Sequence, residues 1–181
     1  MPYAEAEELG ILLGRGDEGL DGVETARAEM LLEMATGAID SKTEQPLQLQ
    51  ESTHVLDARG GTKLVLPRWP VTAVAAVVVL DERDQEITLT HGADYRWTRW
   101  GLLRRVRGCW PCKERSVIVT LTAGYDPIPG SVHAMCLRLA LAGWENPAGL
   151  ESLRLGDWNA KYASAGLTTA ELRTLSKYAA H

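Results

Sequence analysis

The sequence has no run of eighteen or more apolar residues, so no segment of it is suited to cross a membrane as a helix. Its N-terminal stretch carries Glu5, Glu7 and Glu8 where a secretory signal would place basic residues and then an apolar segment. A soluble, unsecreted protein with no membrane partner is the expectation. Cysteine is scarce: Cys109, Cys112 and Cys136 make an odd number, which fits a reducing compartment and requires no disulfide. Nucleotide-binding loops are missing, because Gly14-Arg15-Gly16 and Arg59-Gly60-Gly61 match neither the dinucleotide nor the P-loop pattern and read as turns. There is no G-x-S-x-G elbow, and no Ser, His and Asp set stands out as a triad. An excess of base is lacking too: net charge is -5, the wrong sign for a chain whose main work is clamping phosphates.

What is present is 181 residues, 45% hydrophobic and 24% charged, enough for one real core. The charge is unevenly distributed. Residues 1–57 hold thirteen acids against three bases, whereas residues 96–115 hold seven bases against Glu114 alone. Two readings are open: solvated faces of a monomer, or patches that meet across a subunit boundary.

Leu9, Leu12 and Leu13 predict a short amphipathic helix over residues 3–13, ended by Gly14 and Gly16. A longer helix is predicted from Gly22 to about Lys42, opened by the Asp21/Glu24 capping box. Val23, Ala26, Met30, Met34 and Ala38 form its apolar stripe, and Ala35, Gly37 and Ala38 would let another helix approach closely. Between Gln48 and Asp126 short β-rich runs alternate with turns. Arg59-Gly60-Gly61 is placed to join residues 54–56 and 63–66 as a hairpin, and Pro67 and Pro70 end that run. A buried strand is expected over Val71–Leu80, a turn at Asp81–Asp84, a strand at Ile87–Thr90, a hairpin folded about Trp100-Gly101, and a last strand at Val117–Thr122.

Pro129 then opens a helix over residues 131–144 that is apolar around most of its girth, so it is either central or covered by another subunit. After Asn146-Pro147 comes an irregular piece, residues 149–166, with Leu153, Leu155, Trp158 and Tyr162 lacking an evident partner. A final helix over residues 169–179, capped by Thr168 and Glu171, offers only Leu172, Leu175 and Tyr178 to bury and needs a docking surface.

Three leads toward chemistry are weak. Cys109-Trp110-Pro111-Cys112 has redox CxxC spacing but lies between β-rich runs, with no helix N-terminus to lower a thiol pKa. No second paired spacing completes a zinc site, and Asp81, Glu82, Asp84 and Glu86 lack calcium-loop spacing. No catalytic residue, cofactor or metal site is expected. Arg96, Trp97, Arg99, Trp100, Arg104, Arg105 and Trp110 interleave cations with aromatics as a single-strand-binding sheet would. A small DNA-binding accessory protein, and behind it a CxxC thiol oxidoreductase, therefore remain alternatives.

One resemblance covers residues from about 20 to the end. It runs through Leu66-Pro67-Arg68-Trp69-Pro70-Val71, Asp94-Tyr95-Arg96-Trp97, Gly101-Leu102-Leu103-Arg104-Arg105 and residues 119–129 from Val119 to Pro129. It continues through the apolar helix into Asn146-Pro147-Ala148-Gly149-Leu150 and residues 155–162. In order and spacing these segments resemble the head-to-tail connector (adaptor) family of long-tailed bacteriophages. The Cys109/Cys112 pair departs from that pattern, and residues 1–20 inherit no role.

The resemblance implies an α+β fold: an α-helical bundle over residues 1–148 with a β-rich hairpin insertion at about 50–125, then an extended C-terminal arm, residues 149–181, ending in a short helix. It implies a noncatalytic virion part without cofactors, assembled in the bacterial host cytoplasm as a ring, a dodecamer, below the portal protein. A tail-proximal connector or stopper would dock on its other side, and packaged DNA would pass through the lumen without sequence-specific binding. The arm would engage the portal through Leu153, Leu155, Trp158, Tyr162, Leu172, Leu175 and Tyr178. An acidic lumen lets a polyanion slide, so the expectation is that the acidic helix, with Glu24, Glu29 and Glu33, faces the channel or a neighbouring subunit. The basic residues Arg96, Arg99, Arg104 and Arg105 would then pair with acids across the subunit boundary.

Overall fold

A computed structural model describes residues 2–15, 19–147 and 166–180, together with the backbone of residues 152–155 and 158–161. The elements fall into two compact units, residues 1–44 with 128–179, and residues 45–127 with 180–181. This division differs from a break at residue 148, because the last helix packs on the helices of its own unit. The α+β class holds.

The helical unit is built from α1 (Ala6–Leu12), α2 (Gly22–Thr43), α3 (Gly130–Glu145) and α4 (Thr169–Leu175), with the strand pair β8 (Ser152–Leu155) and β9 (Trp158–Lys161). Local signals set the helix starts. The Asp21 carboxylate accepts from the backbone N–H groups of Val23 and Glu24, both at 2.8 Å, and Glu24 reaches back to the N–H of Asp21 at 3.3 Å. That reciprocal cap satisfies otherwise orphaned donors. Helices α2 and α3 pack on one another, and each also touches α1 and α4, so the two together form the centre of the unit. A Cβ added at Gly143 would lie 3.0 Å from Leu31 Cδ2, so α2 and α3 cross closely there.

The face that α2 buries is not the predicted one. Ala28, Leu32, Ala35, Thr36, Ile39 and Thr43 are buried, while Val23, Met30 and Met34 are 81%, 54% and 64% exposed. Both sets recur at helical spacing, so periodicity alone does not choose between them. The small side chains Ala28, Ala35 and Thr36 allow the close crossing that longer methionines would block. Leu32 and Ile39, fully buried, each contribute roughly 1.5–3 kcal/mol of apolar burial. Tyr3 folds onto the same helix: its N–H donates to Thr36 Oγ1 at 3.1 Å and its hydroxyl to the Asp40 carboxylate. Glu8 on α1 accepts from the N–H of Glu5 and lies 2.9 Å from His133 Nε2 on α3. The Glu5 donor, aided by His133, outweighs burial and holds the Glu8 carboxyl below its ordinary pKa.

The β unit contains β1 (Gln50–Arg59), β2 (Lys63–Val65), β3 (Val71–Leu80), β4 (Glu86–Thr88), β5 (Tyr95–Trp97), β6 (Leu102–Arg105) and β7 (Cys112–Ala123). Two antiparallel sheets result, in the orders β1-β7-β3-β4 and β2-β6-β5. The expected hairpin around Gly60 does not form: β1 pairs with β7 and β2 with β6, so Arg59-Gly60-Gly61 carries the chain from one sheet to the other. The hairpins at residues 81–85 and around Trp100-Gly101 do form. Strand β3 is less buried than its composition suggests, with Val71 and Val77 inside and Thr72, Ala73 and Ala75 exposed. One apolar core joins the sheets, centred on Val77, Leu103, Val117, Val119 and Leu121, all fully buried.

Arg68 explains part of the Leu-Pro-Arg-Trp-Pro segment. Only 3% exposed, its guanidinium donates to the carbonyls of Pro46 at 2.9 Å and Gln48 at 3.0 Å, while the N–H of Trp69 donates to Gln45 Oε1 at 2.9 Å. The segment is a clamp holding residues 45–48 to the sheet. At Gly124, φ is +120° and a Cβ would sit 2.4 Å from the Gln48 carbonyl oxygen, so only glycine fits.

Candidate assembly surfaces

Three surfaces carry the residues singled out from the sequence. The first is the outward side of α2. At about 100° per residue, Val23, Met30 and Met34 fall within about 20° of one line along the helix, flanked by Ala26 and Gly37. Glu33 lies about 60° around the helix from Met30 and Glu29 about 100°, toward the edge of the buried face; both are exposed and neither is in an ion pair among the described residues. Met30 and Met34 also line a groove of about 430 Å³ bounded by Arg27, Leu139, Asn146 and Pro147. Arg27 is committed to its own unit: it donates to the Trp144 carbonyl at 2.9 Å and stacks 4.3 Å from that ring's centroid. Glu24 is committed as well, since it closes the α2 cap and pairs with Arg15.

The second surface is one face of the β2-β6-β5 sheet. Register sets Lys63 opposite Arg104 and Arg104 opposite Arg96, which puts three cations side by side across three strands. Side chains directly opposite in an antiparallel pair are about 4.5–5.5 Å apart at Cβ, and like charges there are destabilising. All three are exposed, and none is in an ion pair among the described residues. Val65 and Val106, 55% and 43% exposed, border the row with Leu102. Asp94, two residues from Arg96, accepts from the N–H of Thr90 at 2.8 Å.

Arg105, paired with Tyr95, belongs to the opposite face. Its guanidinium lies 5.4 Å from the Trp110 ring, and its Nε and Nη1 are buried without a hydrogen-bond partner. The electron-rich indole face partly compensates for the missing acceptors. Arg105 therefore braces the sheet. Arg99 is exposed in the β5–β6 turn beside Trp100, which is 65% exposed and tilted against Trp69 at 5.6 Å between centroids. Nothing in the sequence marked Lys63, whose place in the row depends on β2 pairing with β6 instead of β1.

The third surface is the C-terminal segment. Strands β8 (Ser152–Leu155) and β9 (Trp158–Lys161) form an antiparallel pair with Leu155 opposite Trp158 and Leu153 opposite Ala160. Tyr162 lies outside the described residues. In α4, Leu172 is 40% exposed and Tyr178, just beyond the helix, is half-buried. Leu175 is 1% exposed: it is the residue that docks α4 on its own unit, so its side chain is not free to anchor a partner. Arg138 on α3 reinforces that docking with two bonds to Glu171, at 2.7 and 2.8 Å. Burial pushes the Glu171 carboxyl up, but Arg138 and the Thr168 donors outweigh it and hold the pKa below its ordinary value.

The leads toward chemistry stay without a site. Cys109 and Cys112 are exposed, and Cys112 opens a β-strand. Cys136 is buried in α3 beside Thr36, and burial raises its thiol pKa. Asp81 accepts from the N–H groups of Arg83 and Gln85, an ordinary side-chain-stabilised turn. Among the described residues no three His, Cys, Asp or Glu side chains converge as metal ligands, and no helix is long and apolar enough to cross a membrane.

No family model and no curated protein matches the chain. Solved structures do. A chain in the neck of an empty gene transfer agent (GTA) particle, computed with C6 symmetry, superposes with a TM-score of 0.63 and 20% identity over 97% of this chain and 90% of that one. A chain of the virion of a native gene transfer agent particle gives 0.61 and 21% identity over 92% and 82%. A chain in the neck of the native particle, computed with C12 symmetry, gives 0.59 and 17% identity over 100% and 94%. The protein thus has the fold of chains found in the necks and virions of gene transfer agent particles.

Proposed function

We propose that this protein is a noncatalytic protomer of the ring that joins head to tail in a phage-like particle. The observation that carries the reading is the fold shared along nearly the whole chain with neck chains of gene transfer agent particles, reached independently of the segment order that resembles the connector family. Twelve copies suit both C6 and C12 descriptions, since a twelve-fold ring also obeys six-fold symmetry. In this reading the ring lies below the portal protein, receives a further connector on its tail side and lines the channel for DNA, with a net charge of -5 that disfavours holding phosphate.

The portal-facing segment is residues 149–181, with Leu153, Leu155, Trp158, Tyr162, Leu172 and Tyr178 as its anchors. Neighbouring protomers meet through acidic α2 and basic β5–β6 surfaces. The test is genetic and biochemical. Particles produced without this chain should accumulate DNA-filled heads and free tails, and a chain cut after Gly149 should fail to capture the portal while the full chain succeeds. Joined particles formed at normal yield without the chain would refute the reading.

A further inference from the structure

Two exposed faces of the protein are complementary in both apolar surface and charge. One is the Val23–Met30–Met34 stripe of α2, with exposed Glu33 and Glu29 farther round the same side of the helix. The other is the Lys63–Arg104–Arg96 row of the β2-β6-β5 sheet, bordered by Val65, Leu102 and Val106. Each exposes apolar side chains that water does not favour. Glu29 and Glu33 beside the first and the three cations of the second have no counter-ion among the described residues, and Arg27, the base nearest the stripe, is engaged with Trp144. The cation row is costly as it stands, because register forces two like-charge pairs directly opposite one another. Carboxylates delivered from outside turn that cost into attraction.

We infer that the α2 stripe of one copy seats on the Lys63–Arg104–Arg96 face of a second copy, with Met30 and Met34 against Val65 and Val106, and Glu29 and Glu33 against the cation row. This rests on the ring reading above and narrows it. Glu24, Arg105 and Arg99 drop out of the pairing, since the first is held by Arg15, the second stacks on Trp110 and the third lies in the turn beyond the row. Lys63 and the two methionines enter. The contact is heterologous, because the two faces are different surfaces of the same chain. Repetition of such a contact builds a closed ring when the rotation between copies closes, rather than a two-fold dimer.

The test is the mass of the purified full-length chain by analytical ultracentrifugation, at low salt and up to about 200 µM, well above the micromolar range expected of a modest interface. E29K/E33K and R96E/R104E should each weaken self-association at least about tenfold, since each sets like charges face to face. An equimolar mixture of the two variants should recover it. In the mixture the reversed α2 face of one variant meets the reversed row of the other, and the two remaining faces are wild type and complementary. M30S/M34S should weaken association without a salt dependence of its own. Circular dichroism identifies any variant that fails to fold, and recovery in the mixture cannot come from a misfolded partner.

The inference is overturned if the wild-type chain stays monomeric throughout that range, if the charge variants associate like wild type, or if their mixture does not recover. It is also overturned if R96E/R104E keeps its association but loses salt-sensitive retention of duplex DNA, which would assign the row to nucleic acid. The adaptor reading fails separately, on particles that join without the chain, so the two failures are distinguishable and the ring reading can stand when this contact falls.

Discussion

The attachment of α4 can be weakened by one atom-level change whose size follows from the structure. Seven residues make a marginal helix, and this one is held by Leu175 beneath it and by Glu171 at its start. Glu171 does two jobs: it accepts from Arg138 at 2.7 and 2.8 Å, and it closes the capping box by accepting from the N–H of Thr168 at 2.7 Å. The Arg138 side chain is 34% exposed and that of Glu171 15%, so solvent screening places the ion pair at the low end of its range, about 1.5 kcal/mol. Loss of the cap adds about 1 kcal/mol. Glu171→Ala should therefore cost about 2.5 kcal/mol locally and speed hydrogen exchange in residues 169–175 about 70-fold, at 1.36 kcal/mol per decade. Glu171→Gln keeps a capping acceptor and should lose roughly 1 kcal/mol, about fivefold.

Exchange measured peptide by peptide with mass spectrometry reads both numbers, with α3 peptides as the internal control. A pH series gives a second reading. The folded-state pKa of Glu171 is lowered, so its stabilisation is complete above the unfolded value of about 4.3 and disappears as pH falls through the lower folded value. Protection of α4, corrected for intrinsic exchange, should fade in acid earlier than that of α2 in the wild type and not in Glu171→Ala. If Glu171→Ala changes exchange in α4 by less than about threefold, the account of how this helix is held is wrong.

Three further outcomes check the fold. Replacing Arg68 by Met removes charge-assisted bonds to two partly buried carbonyls and should cost about 3 kcal/mol, lowering Tm by about 6–12 °C in a scan followed by circular dichroism. Gly124→Ala drives a methyl into the Gln48 carbonyl at a positive φ and should leave little soluble folded protein, whereas Gly37→Ala, which meets open space on α2, should be neutral or slightly stabilising in the same expression and melting assays. Iodoacetamide should label Cys109 and Cys112 in the native protein and Cys136 only after denaturation; prompt native labelling of Cys136 would contradict its buried place against Thr36.

Features that depend on a few neighbouring residues were legible in the sequence. The caps at Asp21/Glu24 and Thr168/Glu171 form by bonds across three positions, so their residue types announce them. The hairpin about Trp100-Gly101 and the α3 helix are local in the same sense. The face of α2 that turns inward was not legible, because two stripes at helical spacing compete and only the packing of α2 against α3 decides between them. Nor was the pairing of β1 with β7, whose partners are separated by more than fifty residues and which won over the nearer strand, β2.

By itself, the sequence determined where helices begin, which stretches are extended, that the chain is acidic at one end and basic in its middle, and the order of segments that resembles a connector. Only the tertiary structure decided that Lys63, Arg104 and Arg96 stand in one row, that Arg105 turns away to Trp110, and that the methionines of α2 remain outside. The physical reason is the range of the forces. Caps and turns are settled by bonds between near neighbours, whereas the composition of a face depends on which distant strand supplies the next partner and on what the core has room to accept.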